Sequence, residues 1–211
     1  MTYSWDLFNL INDIAIGSKG PADIDAYLDG EAVNYPDDAF RMYFTSNHDE
    51  NSWNGTVFER LGGGVKTFAV LAATLNGMPL VYSGQEAGLN KRLDFFEKDP
   101  IDWRDHELTE LYTTLFDLKK TNTALRHGDR GGPVVRVKTS NDDLVYSFIR
   151  EKEDDRAFVV LNLSGDVRNI TFSGQLFAGD YTDVFGDSTV SLSENSNLEL
   201  EPWGYRVFER R

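Results

Sequence analysis

The chain has 211 residues, no cysteine, and 21 Lys+Arg against 35 Asp+Glu, a formal net charge of -14. With 40% hydrophobic and 13% aromatic residues it can bury the core of one large domain or two small ones, which excludes a disordered acidic chain, and the absent cysteines exclude a disulfide framework. The acidic surplus is shared, 11 Lys+Arg against 20 Asp+Glu through residue 128 and 10 against 15 after it, so neither nucleic acid nor an anionic membrane is expected as a partner.

The N-terminus, MTYSWDLFNLINDIA, has no basic n-region and no small-residue cleavage site, so it reads as a chain that starts in the middle of a larger pattern and not as a signal peptide. Leu7, Leu10, Ile11 and Ile14 recur at helical spacing and Gly17 ends the run. A second short helix is predicted from Pro21, at a first-turn position, to Gly30 as its stop. Arg41 to Thr45 (RMYFT) is a compact aromatic run that suits a buried strand feeding a polar loop, SNHDENSWNG. From about Val57 the pattern is helical again, with Val65, Phe68, Ala69, Ala72 and Leu75 on one side. Met78 to Gly84 (MPLVYSG) is a short apolar run without alternation, which predicts a strand buried on both faces. The longest apolar stretch, Thr67 to Tyr82, is interrupted by Asn76, Gly77 and Pro79 and is too short to span a bilayer. After an irregular stretch, QEAGLNKRLDFFEKDPIDW, the leucines 108, 111, 115 and 118 predict a helix with Asp105 as its N-cap.

This alternation of helix and strand is the unit of a parallel α/β sheet or barrel. Beyond His127 and Gly128 the grammar changes to eight short β-like runs separated by turn clusters such as SNDD and EKEDD, which fit an antiparallel sandwich or Greek-key barrel. The boundary falls near residue 130, giving an α/β part over residues 1–128 and an all-β part over 129–211.

In α/β folds the chemistry sits at the carboxyl ends of parallel strands, where loops converge. Two such ends carry polar clusters: Ser46-Asn47-His48-Asp49-Glu50, and Ser83-Gly84-Gln85-Glu86. Neighbouring strands lie about 4.8 Å apart, so Asp49 and Glu86 are a candidate pair of carboxylates of the kind a glycosidase needs at about 5 to 9 Å.

FTSNHDENSWNGT (Phe44 to Thr56) resembles the strand-seven motif of the α-amylase family, glycoside hydrolase family 13, and GMPLVYSGQEAGL (Gly77 to Leu89) resembles the strand-eight motif that follows it there. LKKTNTALRHG (Leu118 to Gly128) resembles that family's last barrel helix, and a sandwich ending in LEPWGYRVFER resembles its C-terminal domain. The resemblance implies the C-terminal part of a β/α (TIM-type) barrel, from about the helix after strand six to helix eight, followed by an antiparallel Greek-key sandwich. It also revises the carboxylates. Asp49 becomes the transition-state-stabilising acid, His48 a hydrogen-bonding partner of the same sugar, and Glu86 a supporting residue.

The same resemblance places the nucleophilic Asp and the acid/base Glu on strands upstream of Asn47, and no segment here supplies them. Asp25 in DIDAYL imitates the nucleophile motif but lacks the preceding arginine and strand, and reads as a solvated helix carboxylate. The expected function is therefore part of a retaining α-glucan hydrolase acting on starch or maltooligosaccharides, inactive by itself. Transglycosylation by the same carboxylates is one alternative; a non-catalytic carbohydrate-binding or interaction sandwich is another. Trp53 is a candidate sugar platform and Arg92, on the loop after strand eight, a candidate substrate contact. Ser83 departs from the family pattern, where an aromatic is frequent.

His48, His106 and His127 show no zinc-site spacing, and no metal is expected in this chain. Calcium, which many family members bind through earlier barrel segments, is assigned to the parent, as is an extracytoplasmic location. Two barrel strands without most of their partners are expected to expose edges, and so to favour self-association or local disorder.

Overall fold

The computed structural model describes residues 1–186 and 188–211. Its first strand is short, β1 (Thr2–Tyr3), and leads into α1 (Trp5–Ala15), whose buried face is Leu7, Phe8, Leu10, Ile11 and Ile14. Gly17 closes that helix at φ +75°, a left-handed conformation that side chains other than glycine's adopt at a cost, and its N–H bonds the Ile14 carbonyl at 2.9 Å. Helix α2 (Pro21–Asn34) starts at Pro21, where the Asp23 carboxylate accepts the Gly20 N–H at 2.9 Å. It does not stop at Gly30. It runs four residues further, to Asn34, and is ended by Tyr35, which is extended (φ -128°, ψ 144°) ahead of Pro36. The extra turn carries Glu31 to a buried, two-pronged ion pair with Arg41 (2.6 and 3.1 Å).

Strand β2 (Arg41–Phe44) lies between β1 and β3 (Met78–Leu80), and both pairings are parallel. The central strand is mostly buried, whereas all three β3 residues are only half-buried, contrary to the expected burial on both faces. β3 is also an edge strand, paired on one side alone. The polar segment after β2 is not a loop but α3 (His48–Trp53), capped by Asn47, whose side chain accepts the Glu50 N–H at 2.9 Å. The helical stretch from Val57 is two helices, α4 (Val57–Leu61) and α5 (Val65–Thr74), joined by a 3₁₀ turn over Gly62–Gly64. A side chain at Gly63 would meet the Trp203 indole at 2.7 Å, so this turn is where the β part packs down on the α/β part. Helix α6 (Glu107–Thr121) is capped by His106, whose Nδ1 accepts the Leu108 N–H, one residue later than the Asp105 cap expected.

Among its described residues the C-terminal part holds eight strands, as the turn spacing predicts: β4 (Val135–Arg136), β5 (Val145–Lys152), β6 (Asp155–Asn162), β7 (Arg168–Thr171), β8 (Gly179–Asp183), β9 (Thr189–Leu192), β10 (Asn197–Leu200) and β11 (Tyr205–Arg210). Six form an antiparallel sheet in the order β4-β5-β6-β11-β8-β9, and β10 pairs with β7 in a second sheet. One face of the large sheet, with Val145, Ile149, Phe158, Val160 and Phe208, closes a core against Ile170, Phe172 and Leu200. The opposite face, with Tyr146, Phe148, Val159, Leu161 and Val207, shares a single core with α1, α5 and α6. Residues 145 to 150 are buried without alternation for this reason: both faces of β5 are covered.

The boundary near residue 130 is thus crossed by a continuous apolar core. It is also crossed by Arg150 of β5, which is fully buried and donates to the carbonyls of Thr74 (3.0 Å), Leu75 (2.9 Å), Gly132 (2.9 Å) and Arg126 (2.5 Å). Asp25 belongs to the same junction and is not a solvated helix carboxylate. It accepts the Tyr146 hydroxyl at 3.1 Å and lies 3.5 Å from Arg136, because α2 packs against the sandwich.

Candidate functional site

The carboxyl end of β2 is fixed from below. Thr45, Ser46 and Asn47 are all buried, and the Thr45 carbonyl accepts Arg60 at 2.7 Å. The same guanidinium reaches Asn12 Oδ1 (2.8 Å) and the Gly55 carbonyl (3.0 Å) and lies 5.0 Å over the Phe8 ring. Burial pushes its pKa down. From the neighbouring strand end, the Gln85 amide donates to Thr45 Oγ1 (2.9 Å) and, more weakly, towards the Tyr112 hydroxyl (3.4 Å), while its oxygen accepts the Tyr82 N–H (2.8 Å). Burial pushes the Tyr112 hydroxyl up to about 12, so it stays neutral beside this amide. The two strand ends that carry the polar clusters are therefore clamped side by side.

His48 and Asp49 occupy the first turn of α3, both well exposed, with His48 Nε2 3.7 Å from Asp49 Oδ1. That separation is too long for a hydrogen bond, which leaves the carboxylate available to a ligand. Glu86, at the end of the neighbouring strand, is engaged locally. Its carboxylate accepts the Gly84 N–H at 3.0 Å, holding its own turn, which fits the supporting role.

The long loop after β3 is brought over α3 by Asn51, a buried residue whose amide donates to the Lys91 carbonyl (3.2 Å) and accepts from the Leu93 N–H (2.8 Å). Thr56 adds a bond to Asn90 (2.7 Å). Lys91 pairs with Asp99, which also accepts the Asp94 N–H (3.1 Å). The result places the Phe95 ring against His48 (5.9 Å, stacked) and against Trp53 (5.2 Å). Trp53 keeps 58% of its surface exposed.

Arg92 takes another direction. Its Nε and a terminal nitrogen bond the Glu59 carboxylate at 3.0 and 3.1 Å, and the bonds from Arg92 hold the Glu59 carboxyl below its ordinary range. Glu59 in turn caps α4 through the Thr56 N–H at 2.8 Å. The structure thus sets His48 and Trp53 against Phe95, with Asp49 beside His48, and gives Arg92 the Glu59 carboxylate as a partner.

Arg60, Gln85, Asn51 and Phe95 are the contributors that spacing alone does not single out. Gln85 stands inside the GMPLVYSGQEAGL segment, so its position was visible though its clamp was not. Chemically the arrangement offers a half-exposed carboxylate, an imidazole and aromatic faces side by side. These are the groups that hold a neutral, hydroxyl-rich ring: acceptors and donors for its hydroxyls, and apolar faces for its C–H surface. Among the described residues no group of three or more His, Cys, Asp or Glu side chains converges.

Residues 135–207 match the family model of the maltogenic amylase C-terminal domain. Alpha-amylase 2 of Dictyoglomus thermophilum is 25% identical over 223 residues, covering 99% of this chain and 36% of that protein. The maltogenic α-amylase AmyB of Thermotoga neapolitana superposes with a TM-score of 0.82 at 20% identity, over 98% of this chain and 50% of that one. The α-amylase of Geobacillus thermoleovorans, solved with acarbose, gives a TM-score of 0.77 at 16% identity, over 98% and 47%. The chain spans half or less of the length of these proteins.

Proposed function

We propose that this chain, a C-terminal portion of an α-amylase-family (glycoside hydrolase family 13) protein, carries one wall of the active site of a retaining α-glucan hydrolase acting on starch-like α-1,4-linked glucose chains. In this reading β1, β2 and β3 are strands of a β/α barrel, and the nucleophile and acid/base stand on strands outside the chain. The observation that carries the reading is the pair His48–Asp49 at the carboxyl end of a central parallel strand, 3.7 Å apart and exposed, on a backbone clamped by Arg60 and Gln85.

The roles follow from charge. Glycoside cleavage passes through an oxocarbenium-like transition state, and a fixed carboxylate beside the ring stabilises the positive charge as it develops. Asp49 does this without accepting a proton or forming a bond. His48 donates a hydrogen bond to a hydroxyl of the same sugar, and such bonds tighten in the transition state. With neither nucleophile nor acid/base, the chain by itself binds sugar and does not turn it over.

The sandwich is read as a packing domain and not as an independent binding module, since one face of its large sheet is buried in the core shared with α1, α5 and α6. Proton NMR of the His48 ring during a maltotriose titration tests the site. The expected result is a saturable shift of its signals that weakens in Asp49→Asn; signals unmoved at millimolar maltotriose would contradict it.

A further inference from the structure

The C-terminal end of helix α6 borders a cavity of about 320 Å³ that shares no residue with the candidate site. Four basic side chains line it: Lys119 and Lys120 from the last turn of α6, and Arg126 and His127 from the segment that follows. No aspartate or glutamate is among its lining residues, although the chain as a whole carries a net charge of -14. Met78, from the edge strand β3, and the partly exposed ring of Phe116 add apolar wall.

Among the described residues none of these four side chains makes an ion pair. Lys119 donates to the carbonyls of Ala73 (3.1 Å) and Leu125 (2.7 Å), and His127 leaves its Nδ1 without a hydrogen-bond partner. A helix C-terminus attracts cations, which accounts for Lys119 and Lys120. It does not account for Arg126 and His127, which lie beyond the helix. The Phe40 ring, 4.8 Å from the His127 ring, holds that imidazole in place. The charges oppose one another: burial and the Arg150 charge push the Lys119 pKa down, and burial with the charges of Lys119, Arg130 and Arg150 does the same to His127. Positive charge gathered without a counter-charge is stabilised by an anion.

We propose that Lys119, Lys120, Arg126 and His127 form a binding site for a small organic anion, an apolar body carrying one carboxylate, sulfonate or phosphate. The guanidinium and the ammonium groups supply charge-assisted hydrogen bonds to the acidic group, and Met78 and Phe116 meet the body. A cavity of about 320 Å³ stands at the small end of ligand pockets, which limits that body to about one ring. The occupant offsets the repulsion between Lys119 and Arg150, and Arg150 also holds the carbonyls of Thr74 and Leu75, so binding stabilises the junction of the α/β and β parts. This site is independent of the α-glucan reading.

The test is proton NMR of the histidine rings of the full 211-residue chain during a titration with sodium benzenesulfonate. The expected result is a saturable shift of the His127 signals at about millimolar ligand, with the His48 signals unmoved, and a thermal midpoint that rises with ligand. Benzyl alcohol, which has the ring without the charge, and sulfate, which has the charge without the ring, should each bind at least about tenfold more weakly. Lys120 and Arg126 are exposed, so a chain with both Lys120→Gln and Arg126→Gln should keep the parent's thermal midpoint in the absence of ligand. The same chain should bind benzenesulfonate about tenfold more weakly or worse. His127 signals unmoved at about ten times the expected concentration, equal binding of benzyl alcohol or of sulfate, or undiminished affinity in the double variant would each overturn the proposal. So would light scattering that finds a dimer dispersed by the double variant, since the acidic surface of a second copy would then fill the cavity.

Discussion

Arg150, on the second strand of the β part, donates a 3.0 Å hydrogen bond to the carbonyl of Thr74, the last residue of helix α5. Three further carbonyls, those of Leu75, Gly132 and Arg126, complete its shell, and among the described residues it makes no ion pair. A cation in this place meets the negative end of a helix and satisfies four backbone carbonyls at once. It makes the sheet that contributes Arg150 and the helix beneath the candidate site one mechanical unit.

Replacing Arg150 with Met should therefore destabilise the whole chain, by about 3 kcal/mol or more, because several buried carbonyls lose their donor at once. Urea unfolding followed by far-ultraviolet circular dichroism and by tryptophan fluorescence measures this. The two probes are expected to move together, through one transition, since the apolar core is continuous from α1 to β11. A variant in which only one probe shifts would show that the two parts unfold independently.

Lys119 makes stability depend on pH. It lies beside Arg150 with its ammonium on the carbonyls of Ala73 (3.1 Å) and Leu125 (2.7 Å), and burial, with the Arg150 charge, pushes it down to about 7 from an ordinary value of 10.5. Between these two values the unfolded chain holds a proton that the folded chain has released. The contribution of this residue to stability therefore rises with pH across the window, and is least favourable below pH 7. Relative to Lys119→Met, the parent chain should gain about 1 to 2 kcal/mol between pH 7 and 9, read from urea midpoints at each pH. A difference that stays constant with pH would refute this.

The loop after β3 is held by Asn51 more than by Arg92. Asn51 is buried and makes two backbone bonds, whereas the Arg92–Glu59 pair is about half exposed and screened by water. Asn51→Ala should cost about 2 kcal/mol and free the loop, seen as faster hydrogen exchange of the Leu93 amide and a changed Trp53 emission. Arg92→Ala should leave the unfolding midpoint and the Leu93 amide unchanged. Equal effects of the two substitutions would contradict the assignment.

Periodicity and turn chemistry made much of the fold legible. The stripe of Leu7, Leu10, Ile11 and Ile14 and the eight turn-bounded runs after residue 130 depend only on neighbours in sequence. Elsewhere a distant partner decides. Gly30 looks like a helix stop, yet Glu31 must reach Arg41 and Pro36 sets the true end. Asp105 looks like a cap as good as His106. Asp25 looks solvated until Tyr146, 121 residues later, packs on it. At the site, His48, Asp49 and Trp53 were visible through their motif. Arg92 pairs with Glu59, 33 positions earlier, a partner no local pattern points to, and Phe95 meets His48 only because the loop folds back on α3.

On the proposed function, Asp49 stabilises a transition state whose nucleophile and proton donor this chain does not supply. Release of nitrophenol from a nitrophenyl maltooligoside by the purified chain tests it most directly, with Asp49→Asn measured in parallel. No turnover above the blank is expected for either protein, alongside His48 signals that respond to maltotriose. Turnover by the chain that disappears in Asp49→Asn would contradict it.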